Sequence, residues 1–245
     1  TELPPGRKQA LGGAENHWWN LLPFVYAERS ALLQMGGGGL QASPNYDFLW
    51  TERDVRKKAH LYFAPYLLFA RSKADSIPEG RTIMQTEASE LRKIDDGGVV
   101  AAVAVTGRIA GPRKAAKKAA LAWLASDAPM KDEVMAYEPA AADLPSTKGG
   151  TVDWAVETPS AGDDPDVAAQ VTVTTPTVFV ARVSWHPRWE VEIDGQPAQV
   201  VRVTPDFPAV VVGPGAHRLH FRFHRPSWAN TSWLLWPLCG FAGIA

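Results

Sequence analysis

The sequence predicts an α+β protein, in which a mixed α/β domain precedes an antiparallel β-sandwich and the start of a transmembrane helix. Three observations predict this order. A β-branched run, an alanine-rich segment and a second strand-like run follow one another between residues 99 and 137. Apolar and polar residues alternate between residues 184 and 226, with breaks at turn residues, as in antiparallel strands that bury one face. The chain is then uncharged from Thr231 to Ala245.

The composition indicates a folded protein and excludes several classes of function. The chain has 245 residues, 46% of them hydrophobic, which is enough for one large or two ordinary domains. A net charge of −1 provides no overall positive field for nucleic acid. The single cysteine, Cys239, excludes an internal disulfide and a multi-cysteine metal site. The chain starts at Thr1 without a signal peptide, as expected of a piece of a longer protein.

The first forty-odd residues contain the predicted ligand-binding residues. Two adjacent tryptophans offer ring faces on which a sugar can stack, although a core or interfacial aromatic pair is the alternative. Four consecutive glycines would let a ligand approach the backbone, although a plain mobile loop is the alternative. No Lys-Ser or Lys-Thr follows these glycines, so they do not form a P-loop. The candidates are Glu15, His17, Trp18, Trp19, Gly36, Gly37, Gly38, Gly39, Asn45 and Tyr46.

Residues 99–137 predict a strand–helix–strand unit. Val99 to Thr106 is a β-branched run, and Glu133 to Tyr137 is a second strand candidate. Between them, Pro112 stands where a helix commonly begins, and the helix is predicted over Arg113–Ala125. The first half of this helix carries a basic arc, which is either a solvated face or a surface for anionic lipid head groups and lipid-linked substrates. The arc consists of Arg113, Lys114, Lys117 and Lys118.

Residues 140–150 predict a boundary between two domains. The segment AAADLPSTKGG is rich in small and turn-forming residues, which are typical of a linker. We therefore expect a mixed α/β domain at residues 1–145, a β-sandwich at 146–228 and a truncated transmembrane helix at 229–245. The second domain contains about seven short strand candidates, a number typical of a two-sheet sandwich.

The longest alternating stretch predicts a four-stranded antiparallel meander. In its first strand, Trp189, Val191 and Ile193 share one face. Asp194-Gly195 then provides the positive φ angles that a two-residue hairpin needs. The remaining three strands are predicted at residues 201–203, 209–212 and 219–223.

Two groups of residues have the composition of metal ligands but lack the setting of a metal site. Asp164-Pro165-Asp166 spells a D-x-D motif in what is predicted to be a solvated turn. In the second group, His220 and His224 share one face of a strand whereas His217 falls on the other, and no cysteine lies near them. We therefore predict no metal and no cofactor. The alternation indicates instead an ionic outer face formed by Glu190, Glu192, Arg218 and Arg222.

Four segments of the second half resemble one known family. They are Trp185–Trp189, Asp194-Gly195, the Gly213–His217 turn and the Arg222–Pro226 exit. The stretch from Thr175 onward is similar to the C-terminal extracytoplasmic domain of YfhO-type bacterial membrane proteins, which are multi-spanning and related to GT-C glycosyltransferases. In that family a transmembrane helix follows the last proline within a few residues.

The resemblance implies a location and a class of activity. It implies that this chain lies on the extracytoplasmic (periplasmic) side of the cell membrane, as part of a multi-pass protein. The implied activity of that protein is to support sugar transfer from a lipid-linked donor to a cell-envelope acceptor. The implied partners are membrane lipids, a lipid-phosphate-linked sugar and an envelope glycan, with no nucleic acid. The family's catalytic acid lies in an early outer loop that this chain lacks, so catalytic residues stay unknown. A non-catalytic carbohydrate-binding or assembly module of the envelope is the alternative.

Overall fold

The computed structural model shows a β-rich chain whose strands form three sheets. It describes residues 8–11, 31–33, 54–63, 66–76, 79–94, 98–140, 143–158 and 166–223. The strands are β1 (Lys8–Leu11), β2 (Ala31–Leu33), β3 (Tyr66–Ala70), β4 (Arg81–Gln85), β5 (Ser89–Lys93), β6 (Val100–Ile109), β7 (Glu133–Tyr137), β8 (Gly150–Thr158), β9 (Asp166–Val173), β10 (Thr177–Ala181), β11 (Trp189–Ile193), β12 (Gln196–Ala198), β13 (Val201–Val203), β14 (Phe207–Val212) and β15 (Gly215–Phe223). The helices are α1 (Val55–Tyr62) and α2 (Arg113–Ala125), with 3₁₀ helices at Arg71–Ser76 and Ala128–Lys131.

Five of these strands close into a barrel in the order β10-β14-β13-β7-β6. Within it, β6 and β7 are parallel and are joined through α2, which confirms the predicted strand–helix–strand unit. The barrel strands and the helices share one hydrophobic cluster, in which Trp123 and Leu124 of α2 are buried beside Val103 and Val180. Burial of this apolar surface holds the helix against the barrel.

A second sheet, called here the outer sheet, has the order β12-β11-β15-β9-β8. Its strands are all antiparallel, and their inward side chains form a second cluster with the barrel. Strand β10 shows how the two layers meet. Val178 and Val180 belong to the barrel cluster, whereas Phe179 and Ala181 belong to the cluster under the outer sheet. Because both faces are covered, the strand is a continuous apolar run.

The predicted single meander is wrong, because its strands divide between two sheets. β11, β12 and β15 belong to the outer sheet, whereas β13 and β14 belong to the barrel. The Val201–Val203 strand also pairs with β7, far away in the sequence. Alternation along a strand shows that one face is buried, but it does not show which sheet buries it.

The predicted Asp194-Gly195 hairpin is confirmed. Asp194 has φ +53° and Gly195 has φ +77°, the pair of positive angles found in a type I′ turn. The turn aligns Ile193 with Gln196. Asp194 Oδ1 also accepts a 2.8 Å hydrogen bond from the backbone N–H of Arg218, which ties the hairpin to β15.

The expected division at residue 145 falls inside a continuous hydrogen-bonded body. β6 and β7 precede that residue, yet they pair with β10 and β13, which follow it. The composition of residues 140–150 indicated a linker between domains, whereas residues 143–149 connect strands of the same body without regular structure of their own. Small and polar residues are common to surface loops and to linkers, so composition alone does not separate the two.

The remaining sheet lies toward the N-terminus and has the order β2-β1-β3-β5-β4. The sheet is mixed: β1 runs parallel to β2 and β3, whereas β5 runs antiparallel to β3 and β4. Leu67, Phe69 and Ile94 form its small buried cluster. In the part of the chain that the structure describes, no helix is long and apolar enough to cross a membrane. The predicted transmembrane segment at 229–245 lies outside the described residues.

Candidate functional site

The ten predicted ligand-binding residues all lie outside the described residues. They comprise the polar and aromatic group of Glu15, His17, Trp18 and Trp19, the four glycines at 36–39, and Asn45 and Tyr46. The candidate site among the described residues therefore lies in the barrel and the helices around it.

The described chain contains a buried ionic cluster at one end of the barrel, formed by His60, Asp132 and Arg182. His60 comes from the last turn of α1, Asp132 lies just before β7, and Arg182 directly follows β10. Asp132 Oδ1 lies 2.8 Å from His60 Nε2 and 3.0 Å from Arg182 Nη2. The Arg182 side chain is only 4% exposed, so its buried positive charge needs this carboxylate as a compensating partner.

The geometry of the cluster determines where the imidazole carries its proton. The carboxylate can only accept, so His60 Nε2 donates to Asp132. Arg182 Nη2 also lies 3.3 Å from the same ring nitrogen, but two donors cannot bond to each other. Both groups therefore converge on Asp132 Oδ1, and Arg182 Nη1 donates to the carbonyl of Gly98 at 3.3 Å.

The electrostatics of the cluster favour the ionised form of the Asp132 carboxylate. Burial alone raises the pKa of Asp132, but the hydrogen bond from His60 and the charges of Arg182 and Lys148 outweigh it and bring the pKa below its ordinary value. Lys148 Nζ lies 3.4 Å from Asp132 Oδ2 and donates to the carbonyl of Lys131 at 2.7 Å. A carboxylate held in this way is a weak base, which suits an anchor between α1 and the barrel better than proton transfer.

The space beside the cluster is too small for a substrate. The cavity measures about 20 Å³, which is room for one water molecule. Most of the other lining residues are apolar, among them Val103, Trp123 and Phe207, and Glu133 and Thr204 also line the cavity. The cluster is therefore a structural anchor rather than a substrate pocket.

A second buried carboxylate, Asp206, lies between β13 and β14 and is 1% exposed. Its Oδ1 lies 2.5 Å from Arg202 Nε, and the Arg202 guanidinium carbon lies 4.5 Å from the centre of the Tyr137 ring. The Tyr137 hydroxyl donates to the carbonyl of Pro205 at 2.8 Å. Burial, together with the charge of Asp206, raises the pKa of Tyr137 far above its ordinary value. The phenol therefore stays protonated and is not a base at neutral pH.

An open groove of about 810 Å³ runs beside β6. Its wall presents hydroxyl groups from Thr106, Ser146, Thr147 and Thr175, together with the carboxylate of Asp143. Arg108, also in the wall, is bound to Glu138 at 2.9 Å. None of the described lining residues is aromatic. The groove thus lacks the flat apolar surface on which sugar rings stack.

The candidate metal ligands are engaged in ion pairs wherever the structure describes them. Asp166 Oδ1 lies 2.5 Å from His220 Nε2, and His217 Nδ1 lies 2.7 Å from Asp194 Oδ2. Asp164 and His224 lie outside the described residues. No group of three His, Cys, Asp or Glu side chains arranged for a metal occurs within the described ranges.

The predicted ionic outer face is present on the outer sheet. Glu192 Oε1 lies 3.5 Å from Arg222 Nη1, and Glu192 Oε2 lies 3.9 Å from His220 Nδ1. Glu190 is the direct cross-strand neighbour of Arg222. The period-two pattern was sufficient for this prediction because both strands are regular.

The buried ionic cluster was not among the sites predicted from the sequence. Arg182 offered one usable signal, since a charge at the end of the apolar run from Val178 to Val183 must find a partner if the run is buried. Asp132 offered none, because an aspartate after a lysine in a loop resembles any solvated turn. His60 stands among basic residues at the end of a short helix, and its partner is remote in sequence.

Comparisons of the chain with protein-family models, with curated proteins and with solved structures found no match in any of the three.

Proposed function

We propose that this chain is the extracytoplasmic region of a multi-pass YfhO-type membrane protein that supports sugar transfer from a lipid-linked donor to a cell-envelope acceptor. The observation that carries the proposal is the position of β15. This strand lies between β11 and β9 in the outer sheet and contains the start of the Arg222–Pro226 exit that resembles the family. Residues 224–230 then lead to the uncharged segment Thr231–Ala245.

A strand in that position is a firm attachment for a membrane anchor. β15 pairs with β9 from Gly215 to Arg222 and with β11 from Leu219 to Phe223. Because hydrogen bonds hold it on both sides, a force transmitted from the following segment would be shared by the whole sheet. In this proposal residues 229–245 belong to a transmembrane helix, which needs roughly 20 apolar residues in total to cross a bilayer.

The described body serves as a scaffold in this proposal. The barrel and the outer sheet together form its two-layer, sandwich-like support, in which cations hold the partly exposed carboxylate of Asp132 and the buried carboxylate of Asp206. The catalytic acid belongs to an outer loop elsewhere in the full protein. The basic arc of α2 is exposed at Arg113, Lys114, Lys117 and Lys118 and would attract anionic lipids or a lipid-linked phosphate.

Labelling of the full-length protein in intact cells tests the proposed location. Ser146 lies in an exposed loop and is replaced by cysteine in a Cys239→Ser background. We expect a membrane-impermeant maleimide to label this variant in intact cells, whereas the Cys239→Ser protein alone gives the background. Labelling that requires permeabilised inner membranes would overturn the proposal.

A non-catalytic carbohydrate-binding or assembly module is the second candidate, and it is favoured by an exposed tryptophan, Trp154, on the outer sheet. The full-length gene separates the two candidates. Eight or more preceding spans with an acidic residue in the first outer loop favour the enzyme, whereas a single anchor favours the module.

A further inference from the structure

We propose that the loop joining β10 to β11, residues 184–188, rests on the surface of the phospholipid bilayer. This inference rests on the proposed membrane anchor at residues 229–245. It adds a contact surface that was not among the sites predicted from the sequence, and it defines which end of the outer sheet faces the membrane.

The β10–β11 loop lies beside the point where the chain leaves the outer sheet. Phe223 is the last residue of β15. The centre of the His186 ring lies 5.2 Å from that of the Phe223 ring, and the centre of the Trp189 ring lies 5.5 Å from it. The loop therefore touches the residue from which the following segment departs. This end of the sheet is called here the exit end.

The proposed anchor is only a short length of chain away from the exit end. Residues 224–230 lie between Phe223 and the uncharged segment that begins at Thr231. Even fully extended, a stretch of this length reaches at most about 30 Å. In the proposed topology the bilayer surface therefore lies within that distance of the contact between His186 and Phe223.

Hydrogen bonds hold the β10–β11 loop in a fixed form. The backbone N–H of Trp185 donates to the carbonyl of Asp206 at 2.8 Å, which ties the loop to the turn between β13 and β14. Trp189 Nε1 donates to the carbonyl of Ser184 at 2.9 Å and closes the loop across its base. A surface that is already ordered loses little conformational entropy when it binds.

The side chains of the loop have the chemistry of a membrane-interface segment. His186 and Pro187 are exposed, and Trp185 and Arg188 are half-buried. Tryptophan is enriched at the level of the lipid head groups, because its ring is apolar and its N–H can donate to a polar group. Arg188 forms no ion pair with the described part of the chain, and a guanidinium fits a lipid phosphate in a bidentate arrangement.

The charges near the exit end favour contact with a zwitterionic bilayer and give no general attraction to anionic lipids. Three carboxylates of the outer sheet lie toward this end, namely Asp166, Glu190 and Glu192. Asp166 pairs with His220, and Glu192 pairs with Arg222. The exit end therefore has no excess of positive charge, and the aromatic and apolar side chains of the loop make the contact.

The basic arc of α2 is the competing contact surface. α2 starts at Arg113, just after β6 ends at Ile109. β6 and β10 are antiparallel, and Ala181 at the end of β10 pairs with Val100 at the start of β6. The end of β6 and the β10–β11 loop therefore lie at opposite ends of the barrel. Contact through the arc would need anionic lipid and would weaken with salt, whereas contact through the loop needs neither.

An environment-sensitive fluorophore measures the contact in the whole 1–245 chain. NBD is attached to the cysteine of Pro187→Cys in a Cys239→Ser background, and the same label on Lys114→Cys and on Ser146→Cys provides two controls. The chain is bound to vesicles of phosphatidylcholine, with or without phosphatidylglycerol. We expect a blue shift at position 187 in both kinds of vesicle, and stronger quenching by a nitroxide at the head groups than by one at the bilayer centre. The labels at positions 114 and 146 should keep the emission that they have in water.

Two tryptophan variants locate the contact within the loop. Trp185→Ala should reduce the blue shift and the quenching at position 187, because the indole no longer enters the interface. Trp154→Ala removes another exposed tryptophan, on the outer sheet, and should leave both signals unchanged. Thermal unfolding shows whether each variant is folded. If Trp185→Ala does not fold, the comparison of positions 187, 114 and 146 still decides the question.

The outcomes separate this inference from the proposed function. Flotation with vesicles while the label at position 187 stays water-like would overturn the loop contact and leave the anchor standing. A blue shift at position 114 in place of 187 would assign the contact to the basic arc and overturn the inference. An emission at position 187 that is already shifted without vesicles, and does not change with them, would mean that protein and not lipid covers the loop. Failure to float would overturn the inference and the anchor together, whereas maleimide labelling of Ser146→Cys tests the location separately.

Discussion

Replacing Asp132 by Asn tests whether the carboxylate stabilises the protein by neutralising buried Arg182. Asp132 has φ +53°, a left-handed conformation that Asn tolerates well. The substitution therefore removes the charge while largely preserving the backbone. Asp132→Ala would add left-handed strain of about 1–2 kcal/mol, so it is the less informative variant.

The magnitude follows from the burial of the two partners. Removing one partner of a buried ion pair costs about 3–5 kcal/mol, because the other charge stays buried and uncompensated. The Arg182 side chain is 4% exposed, but that of Asp132 is 26% exposed, so water already screens part of the pair. The Asn oxygen also still accepts one hydrogen bond. We expect a loss of about 2–3 kcal/mol and a fall in Tm of roughly 4–12 °C.

Chemical denaturation and thermal unfolding of the full chain provide the measurement. Arg182→Met removes the buried cation and leaves Asp132 with His60 and Lys148, so it should cost less than Asp132→Asn. The double variant should cost less than the sum of the two single variants, because the stranded charge is absent. Additive losses would show that the two residues stabilise the protein independently and would refute the proposed pairing.

The pH dependence provides an independent check. The pKa of Asp132 is lowered in the folded protein, so its contribution is fully present above its unfolded pKa of about 3.9 and is lost as pH falls through the folded value. The stability difference between wild type and Asp132→Asn should therefore shrink below about pH 4. A difference that stays constant down to pH 2 would contradict the assigned ionisation.

Three further predictions concern other parts of the chain. Gly195→Val should lower the free energy of unfolding by about 1–2 kcal/mol through backbone strain at φ +77°, since an added Cβ would meet no atom within 4 Å and a steric clash is therefore excluded. An unchanged stability in chemical denaturation would contradict the type I′ turn. The hydrogen bond to Asp194 raises the pKa of His217, so NMR titration should show a lower His217 pKa in Asp194→Asn. The contribution of this pair to stability is fully present below about pH 6.5 and disappears as pH rises through the raised pKa. Deletion of residues 231–245 should improve solubility with little change in Tm, and a collapse of Tm would oppose the membrane assignment.

Local patterns predicted the elements whose structure depends on near neighbours. Pro112 and the alanine-rich run after it indicated α2, and the β-branched run from Val99 to Thr106 indicated the strand before it. Asp194-Gly195 indicated its hairpin because few other residue pairs adopt two positive φ angles readily. In each case the physical cause lies within a few residues of its effect.

The assignment of strands to sheets depends on remote residues and could not be predicted in that way. Val203 pairs with Ala136, and Val180 pairs with Ala101. The apolar–polar pattern around Val203 or Val180 contains no information about which remote strand it will pair with. The same limit applies to the sites. The exposure of Trp154 depends on one bulged residue, which shifts the alternation and reverses the face that the pattern predicts.

The closed barrel has a consequence for the order in which the chain can acquire structure during synthesis. β6 and β7 emerge early, but their edges are satisfied only by β10 and β13, and closure requires β14, which ends at Val212. Pairings between such distant segments generally make folding slow, and apolar edges stay accessible meanwhile. A nascent chain released before Val212 would thus carry unpaired strands, and two fragments cut within residues 143–149 would each hold an incomplete barrel until they met.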